Sequence, residues 1–345
     1  MSRSGVVCVL TIAVLCIAEI VNAAPAPERY FGFDQSAMRV FRRGGQSVKS
    51  TSASSAKELE CPYDVITQPG EYYIRADEAH ACTWLFISGA NSVVELELVE
   101  VELPCVDNSF IEFFDGVALQ MGVFPTEADH ELTSQERVNR PCKTGNRVLV
   151  SSQNVAMLTY QFPPSGAAFR LLFKHKSIQD PCNIFIAETS GAFTLSNYGR
   201  ERNCSFAGIF PGYINVMHMA VGRETNEARL KCKDFNDMAM FLEGNSFEFS
   251  KMNIEQRMCG RTGTSPFARN ISPELVAPSV GEAHGRDAAI SSLVYKNRAQ
   301  CTSGINIPLM CQFSTVRLVS SGLYENSLTF IFTREAKEIN ECSVY

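Results

Sequence analysis

Four landmarks recur in the same order along the 345 residues, and together they constrain the fold more than any single element does. Cys61 stands nine residues before Gly70 in Gly70-Glu71-Tyr72, and Cys182 stands nine before Gly191 in Gly191-Ala192-Phe193. Cys105 precedes Asp115-Gly116 by about the interval that separates Cys232 from Glu243-Gly244, and Cys142-Lys143-Thr144-Gly145 resembles Cys259-Gly260-Arg261-Thr262-Gly263. The fourth landmark is Val150-Ser151-Ser152, echoed by Val319-Ser320-Ser321-Gly322, each leading into alternating apolar residues. Landmarks repeated in order predict two copies of one module.

The period inside each copy is two. Ala156, Leu158, Tyr160 and Phe162 alternate with Val155, Met157, Thr159 and Gln161, as an antiparallel strand half buried in a core requires. Pro163-Pro164-Ser165-Gly166 supplies turn chemistry, and Phe169, Leu171 and Phe173 alternate on the return. In Val93 to Leu103 the glutamates change phase, which predicts a β-bulge near Leu98, since a one-residue slip sends side chains to the opposite face. The expected fold is all-β: two tandem antiparallel β-sandwich (jelly-roll) domains stabilised by disulfides. Their expected bounds are 57–176 and 177–345. Cys142 and Ser151 are nine residues apart, whereas Cys259 and Ser320 are 61 apart, so the second copy is expected to hold an insertion at about 263–308, disordered by default.

Arg3 followed by an apolar run and the small-residue exit Val21-Asn22-Ala23 predicts a signal peptide over 1–23. A retained membrane anchor is the competing reading, and Glu19 interrupts the run against it. Residues 24–56 are a polar tail expected to lack order, in which Arg42-Arg43 is either a processing site or an intact basic patch. An exported chain is extracellular, and its thiols should pair. The repeat suggests neighbour pairing of Cys61 with Cys82, Cys105 with Cys142, Cys182 with Cys204 and Cys232 with Cys259, with Cys301 the odd thiol.

A net charge of −6 argues against nucleic acid, and no later run is apolar enough for membrane insertion. The sequence has no C-x-x-C and its five histidines are scattered, so no metal is expected, nor any other cofactor. Glu95, Glu97, Glu100 and Glu102, with Asp107, Glu112 and Asp115, invite a calcium site, but strand alternation already accounts for their spacing. Neither G-x-S-x-G nor H-E-x-x-H occurs, so no catalytic residues are assigned and no enzyme is expected. Asn203-Cys204-Ser205 is a glycosylation acceptor, and Asn270-Ile271-Ser272, followed by Pro273, is a poorer one.

The paired cysteines, Cys105 with Phe113-Phe114-Asp115-Gly116, and Ser151-Ser152-x-Asn154 resemble CUB domains. Ser151 to Met157, Asn203-Cys204-Ser205-Phe206 and Val316 to Gly322 resemble, in the same order, segments of the corticotropin-releasing factor-binding family. The resemblance runs from about Lys57 to Tyr345 apart from the insertion. It implies a secreted glycoprotein that captures a corticotropin-releasing-factor-like peptide hormone (in an invertebrate, a related diuretic hormone) and limits receptor activation. It adds a Cys311–Cys342 bridge to the four above and leaves Cys301 unmatched, so the chain is a monomer unless Cys301 joins two copies.

The same resemblance implies ligand binding through a basic residue four before the first cysteine and an acidic one two after it. Lys57 fills the first position; Tyr63 occupies the second, with the acid displaced to Asp64. A long amphipathic peptide needs an apolar groove or sheet face and a few charges to set its register. The alternative is an extracellular CUB-type adhesion or protease-complex module, whose mark is a calcium-dependent interface. Pro163-Pro164 stands where such modules carry an aspartate.

Overall fold

The computed structural model describes residues 57–58, 65–106, 109–119, 121–145, 147–222, 236–261 and 305–335. The signal peptide, the polar tail, Cys61, Asp64, Cys232, Asn270, Cys301 and Cys342 lie outside them.

Module one comprises β1 (Lys57–Glu58), β2 (Val65–Ile66), β3 (Gly70–Ala76), β4 (Ala81–Ile87), β5 (Ser92–Glu102) and β6 (Phe110–Phe114). These are followed by β7 (Val117–Leu119), β8 (Gly122–Phe124), β9 (Val138–Asn139), the one-turn helix α1 (Pro141–Thr144), β10 (Val148–Val150), β11 (Val155–Gln161) and β12 (Ala167–Ser177). Module two comprises β13 (Ile184–Ile186), β14 (Ser190–Ser196), β15 (Cys204–Gly208), β16 (Gly212–Val221) and β17 (Met238–Gly244), then β18 (Asn253–Met258), β19 (Gly260–Arg261), β20 (Ile305–Leu309), β21 (Phe313–Val319) and β22 (Ser327–Arg334).

Each module is two sheets face to face. In module one the orders are β1-β3-β12-β5-β10 and β2-β4-β11-β6-β9; in module two they are β14-β22-β16-β19, with β20 also on β16, and β13-β15-β21-β17-β18. The orders correspond strand for strand except that β1 has no counterpart beside β14 and β19 none beside β5. Gly70 faces Phe173 in one copy and Gly191 faces Phe332 in the other. Pairing is antiparallel except for the short β1, β2 and β13, which lie parallel to β3, β4 and β15.

The expected bulge is present. Leu171 faces Leu98 and Arg170 faces Glu100, so Val99 is the extra residue and its side chain is 43% exposed. Module two carries the same device at the same place: Val216 faces Phe330, His218 faces Thr329, and Met217 is left over, also 43% exposed.

Two turns show why glycine recurs. At Gly166 (φ +74°) a Cβ would fall 2.5 Å from the Ala76 carbonyl oxygen, and at Gly116 (φ +118°) it would collide with that of Phe124. Only glycine combines a positive φ with so close an approach of backbone.

Two expectations need correction. Ser151-Ser152 leads into β11, whose counterpart is β21, whereas Ser320-Ser321 leads into β22, the counterpart of β12. The echo is therefore out of register by one strand. The insertion at 263–308 also extends too far: Ile305–Leu309 is β20, pairing β16 from Ile305↔Val216 to Leu309↔Gly212, as β10 pairs β5 in module one.

Trp84, Phe86, Ala156, Leu158, Tyr160, Phe169 and Phe173 fill the first sandwich. The other face of the same sheet is not open. Leu85, Ile87, Phe114, Val155 and Met157 belong to a second core shared with Phe185, Phe247, Phe313 and the interior of module two. The strands β4 and β11 are thus buried on both sides, and the sheet containing β2 packs against the sheet containing β13.

Candidate functional site

The only described candidate ligand residue, Lys57, lies on β1, opposite Tyr72 at one edge of the outer sheet of module one. The face beside it is built from charges. Arg170 on β12 donates to Glu71 on β3 at 3.0 Å, lies 3.4 Å from Glu100 on β5, and stacks 5.7 Å over the Tyr73 ring. Lys174 reaches Glu97 at 2.7 Å and Glu95 at 3.7 Å, and Lys176 lies 3.8 Å from Glu95. Hydrogen bonding to Glu71 raises the Arg170 pKa, and hydrogen bonding to Glu97 raises that of Lys174, so both stay cationic. Such a face can set the register of a charged partner, and Val99, Val148 and Val150 are exposed.

Of the carboxylates weighed for calcium, Glu95, Glu97, Glu100, Glu112 and Asp115 already have partners. Besides Glu95 and Glu97, Glu112 accepts from Arg140 at 2.7 Å. Asp115 Oδ1 accepts from Ser152 N at 2.8 Å and Gln153 Nε2 at 2.6 Å. Among the described residues, no group of three or more His, Cys, Asp or Glu is placed to hold a metal ion. Asp107 lies outside the described residues.

A serine, a histidine and an aspartate also converge, with His130 Nε2 2.8 Å from Ser152 Oγ and 3.5 Å from Asp115 Oδ2. Their polarity is wrong for a nucleophile. The Ser152 hydroxyl donates to Gln153 Oε1 at 2.7 Å, so it is not the proton donor to His130 that a serine nucleophile must be.

The seam between modules contains the residues that sequence reading missed. Asn154 Nδ2 donates to Ser88 O and Phe185 O at 3.0 and 2.8 Å, while its Oδ1 accepts from Phe185 N at 2.7 Å. Arg317 Nε and Nη2 donate to Asp129 at 2.6 to 3.0 Å, and the guanidinium lies 4.3 Å from the Phe249 ring centroid. Phe124 of module one meets Phe185 and Phe247 of module two, with ring centroids 5.6 and 6.0 Å apart. One signal was available: Trp84-Leu85-Phe86-Ile87 is a continuous apolar run, which marks a strand covered on both faces.

Cys105–Cys142 and Cys182–Cys204 are disulfides with Cα atoms 5.5 and 4.7 Å apart. Cys82, Cys259 and Cys311 are also disulfide-bonded. Asn203 sits half-buried at the seam. Its Nδ2 donates to Ala128 O at 3.0 Å, and its Oδ1 accepts from Ser320 N at 3.3 Å. No helix among the described residues is long and apolar enough to cross a membrane.

Comparison with known proteins decides the family. The corticotropin-releasing factor binding protein N-terminal domain matches residues 54–177, and the C-terminal domain of the same family matches 184–267. The corticotropin-releasing factor-binding protein of Homo sapiens is 30% identical over 296 residues, covering 81% of this chain and 80% of the relative. The chain belongs to the corticotropin-releasing factor-binding protein family. The Xenopus laevis relative of the same name is 30% identical over 294 residues, covering 83% and 79% of the two chains. The CUB1-EGF-CUB2 domains of rat MASP-1 align with 79% of this chain and 99% of that structure at 9% identity, with a TM-score of 0.22. The family's two domain matches adjoin at residues 178–183, the stretch between β12 and β13 that leads into the seam.

Proposed function

We propose that this protein is secreted and sequesters corticotropin-releasing-factor-like peptide hormones, a related diuretic hormone in an invertebrate, limiting receptor activation by lowering free hormone. The observation that carries this reading is its 30% identity, over 81% of its length, to a protein named for binding that factor. Family membership also speaks for a binding protein over an enzyme. The charged outer face of module one beside Lys57, with Asp64 close in sequence, supports it as the register-setting surface, and glycosylation at Asn203 and Asn270 accompanies export. Occupancy alone produces the effect, since a ligand bound in excess of its dissociation constant is removed from solution by mass action.

Calorimetric titration of the purified chain with synthetic corticotropin-releasing factor should give a one-to-one complex. The absence of any complex at micromolar concentration would sink the reading. Lys57→Glu should weaken binding about tenfold or more, because a like charge replaces the pairing one at the ligand's edge. The adhesion-module alternative requires calcium to stabilise the chain, and a calcium titration followed by thermal melting separates the two.

A further inference from the structure

The two modules differ at one edge. In module one, β3 has two neighbours, β12 and the parallel β1, with Lys57 opposite Tyr72 and Glu58 opposite Tyr73. Its counterpart β14 is the last strand of its sheet and pairs with β22 alone among the described residues. Chain connectivity explains the difference. Lys57 stands four residues before Cys61, and the residue four before Cys182 is Ile178. Ile178 is already committed, donating from its backbone N–H to Asn91 O at 3.0 Å and prolonging the pairing of β12 with β5. The segment that covers the edge in the first copy serves as the linker in the second.

The orientation of the free groups follows from the ladder. Arg334 N donates to Thr189 O at 2.7 Å and Asn197 N donates to Asn326 O at 3.2 Å, and these positions continue the β14–β22 register at either end. Hydrogen-bonded pairs alternate in an antiparallel ladder, so the odd-numbered residues of β14 bond β22. The N–H and C=O groups of Ser190, Ala192 and Thr194 therefore point away from the sheet, and all three residues are exposed.

Among the described residues, this edge also lacks what ordinarily protects one. Ser-Gly-Ala-Phe-Thr-Leu-Ser has no charge and no proline over seven residues. The other sheet-ending strands among the described residues are two or three residues long, except five-residue β20, which carries Pro308, and six-residue β18, which carries Glu255 and Arg257. Exposed edges are normally shortened, charged or covered.

We propose that β14 is a strand-addition site that takes an extended segment of the bound peptide hormone in the place that β1 occupies on β3, with Ala192 and Thr194 supplying the main-chain hydrogen bonds. The proposal rests on the hormone-binding reading above. The occupant is a peptide in extended form because the matching edge of module one accepts that form. An uncharged edge recognises main chain rather than side chains.

The test uses the full chain and synthetic corticotropin-releasing factor. In hydrogen exchange resolved to single amides, Ala192 and Thr194 should exchange rapidly in the free chain and at least about tenfold more slowly in the complex. Ala192→Pro removes an edge-facing donor and leaves the β22 ladder intact, and should weaken binding on the order of tenfold at an unchanged melting temperature. Ala192→Ser keeps the N–H and should bind as the parent does. Hormone binding with undiminished affinity by Ala192→Pro, or no slowing at β14, overturns strand addition while leaving hormone capture standing. If the parent chain forms no complex, both fall. Amides of β14 already slow in the free chain, or self-association lost in Ala192→Pro, would mean that the chain itself or a second copy holds the edge, and would overturn the proposal. If the proline variant unfolds, exchange in the parent chain decides.

Discussion

At the scale of single residues, the Asp129–Arg317 pair is the most exposed to a decisive test. The Asp129 side chain is fully out of water and that of Arg317 is 14% exposed, so removing either partner strands a buried charge. Arg317→Met should cost about 3–5 kcal/mol in urea unfolding, and adding Asp129→Leu should recover most of that, because an apolar pair can replace a buried ion pair at little cost. Burial pushes the Asp129 carboxyl above its usual range, against the opposing pull of Arg317. With its folded pKa raised, the proton is bound more tightly in the folded chain. Its contribution to stability is therefore fully present below the unfolded value and lost as pH rises through the folded one. Relative to the parent, Asp129→Asn should gain stability as pH rises above about 4, the unfolded value. An unfolding-energy difference that does not vary with pH would refute the shift.

At the scale of elements, what the sequence revealed depended on whether a signal was periodic or local. The two faces of β11 were legible because Ala156, Leu158 and Tyr160 alternate with Val155, Met157 and Thr159, and the bulge at Val99 was legible because flanking glutamates change phase. The matching bulge at Met217 was not, since Tyr213, Asn215 and His218 offer no charge alternation to break. The Ser-Ser echo misled because loop chemistry is local. Ser152 N binds Asp115 at 2.8 Å and Ser321 N binds Asp237 at 3.0 Å, the same device used ahead of non-equivalent strands. Strands of two or three residues such as β1, β2 and β13 are too short to carry a period. Of the candidate site, the sequence pointed to Lys57 through resemblance, but the ion-pair lattice beside it needed the register of β3, β12 and β5. Replacing Cys105 and Cys142 by serine frees a loop with a sequence separation of 37 and should lower stability by about 4 kcal/mol, measurable as the shift in denaturant midpoint.

At the scale of the whole molecule, duplication did not produce two independent domains. An unpaired module would leave Leu85, Ile87, Phe114, Val155 and Met157 facing water on one side, and Phe185, Phe247 and Phe313 on the other. Burying them in one core ties the stability of each half to the other, and the hydrogen bonds from Asn154 and from Phe247 N to Met121 O fix their mutual position. The described modules should therefore unfold in a single calorimetric transition, with the calorimetric and van't Hoff enthalpies in agreement. Phe247→Ala supplies the sharper test. Its ring lies 4.3 Å from that of Phe313 and 6.0 Å from that of Phe124, so truncation opens a cavity touching both modules and should cost about 3–5 kcal/mol. If the halves are coupled, hydrogen exchange should quicken in β11 of module one as much as in β21 of module two. Loosening confined to module two would mean that the seam is a contact between independently stable halves, and that a ligand on one sandwich has no rigid path to the other.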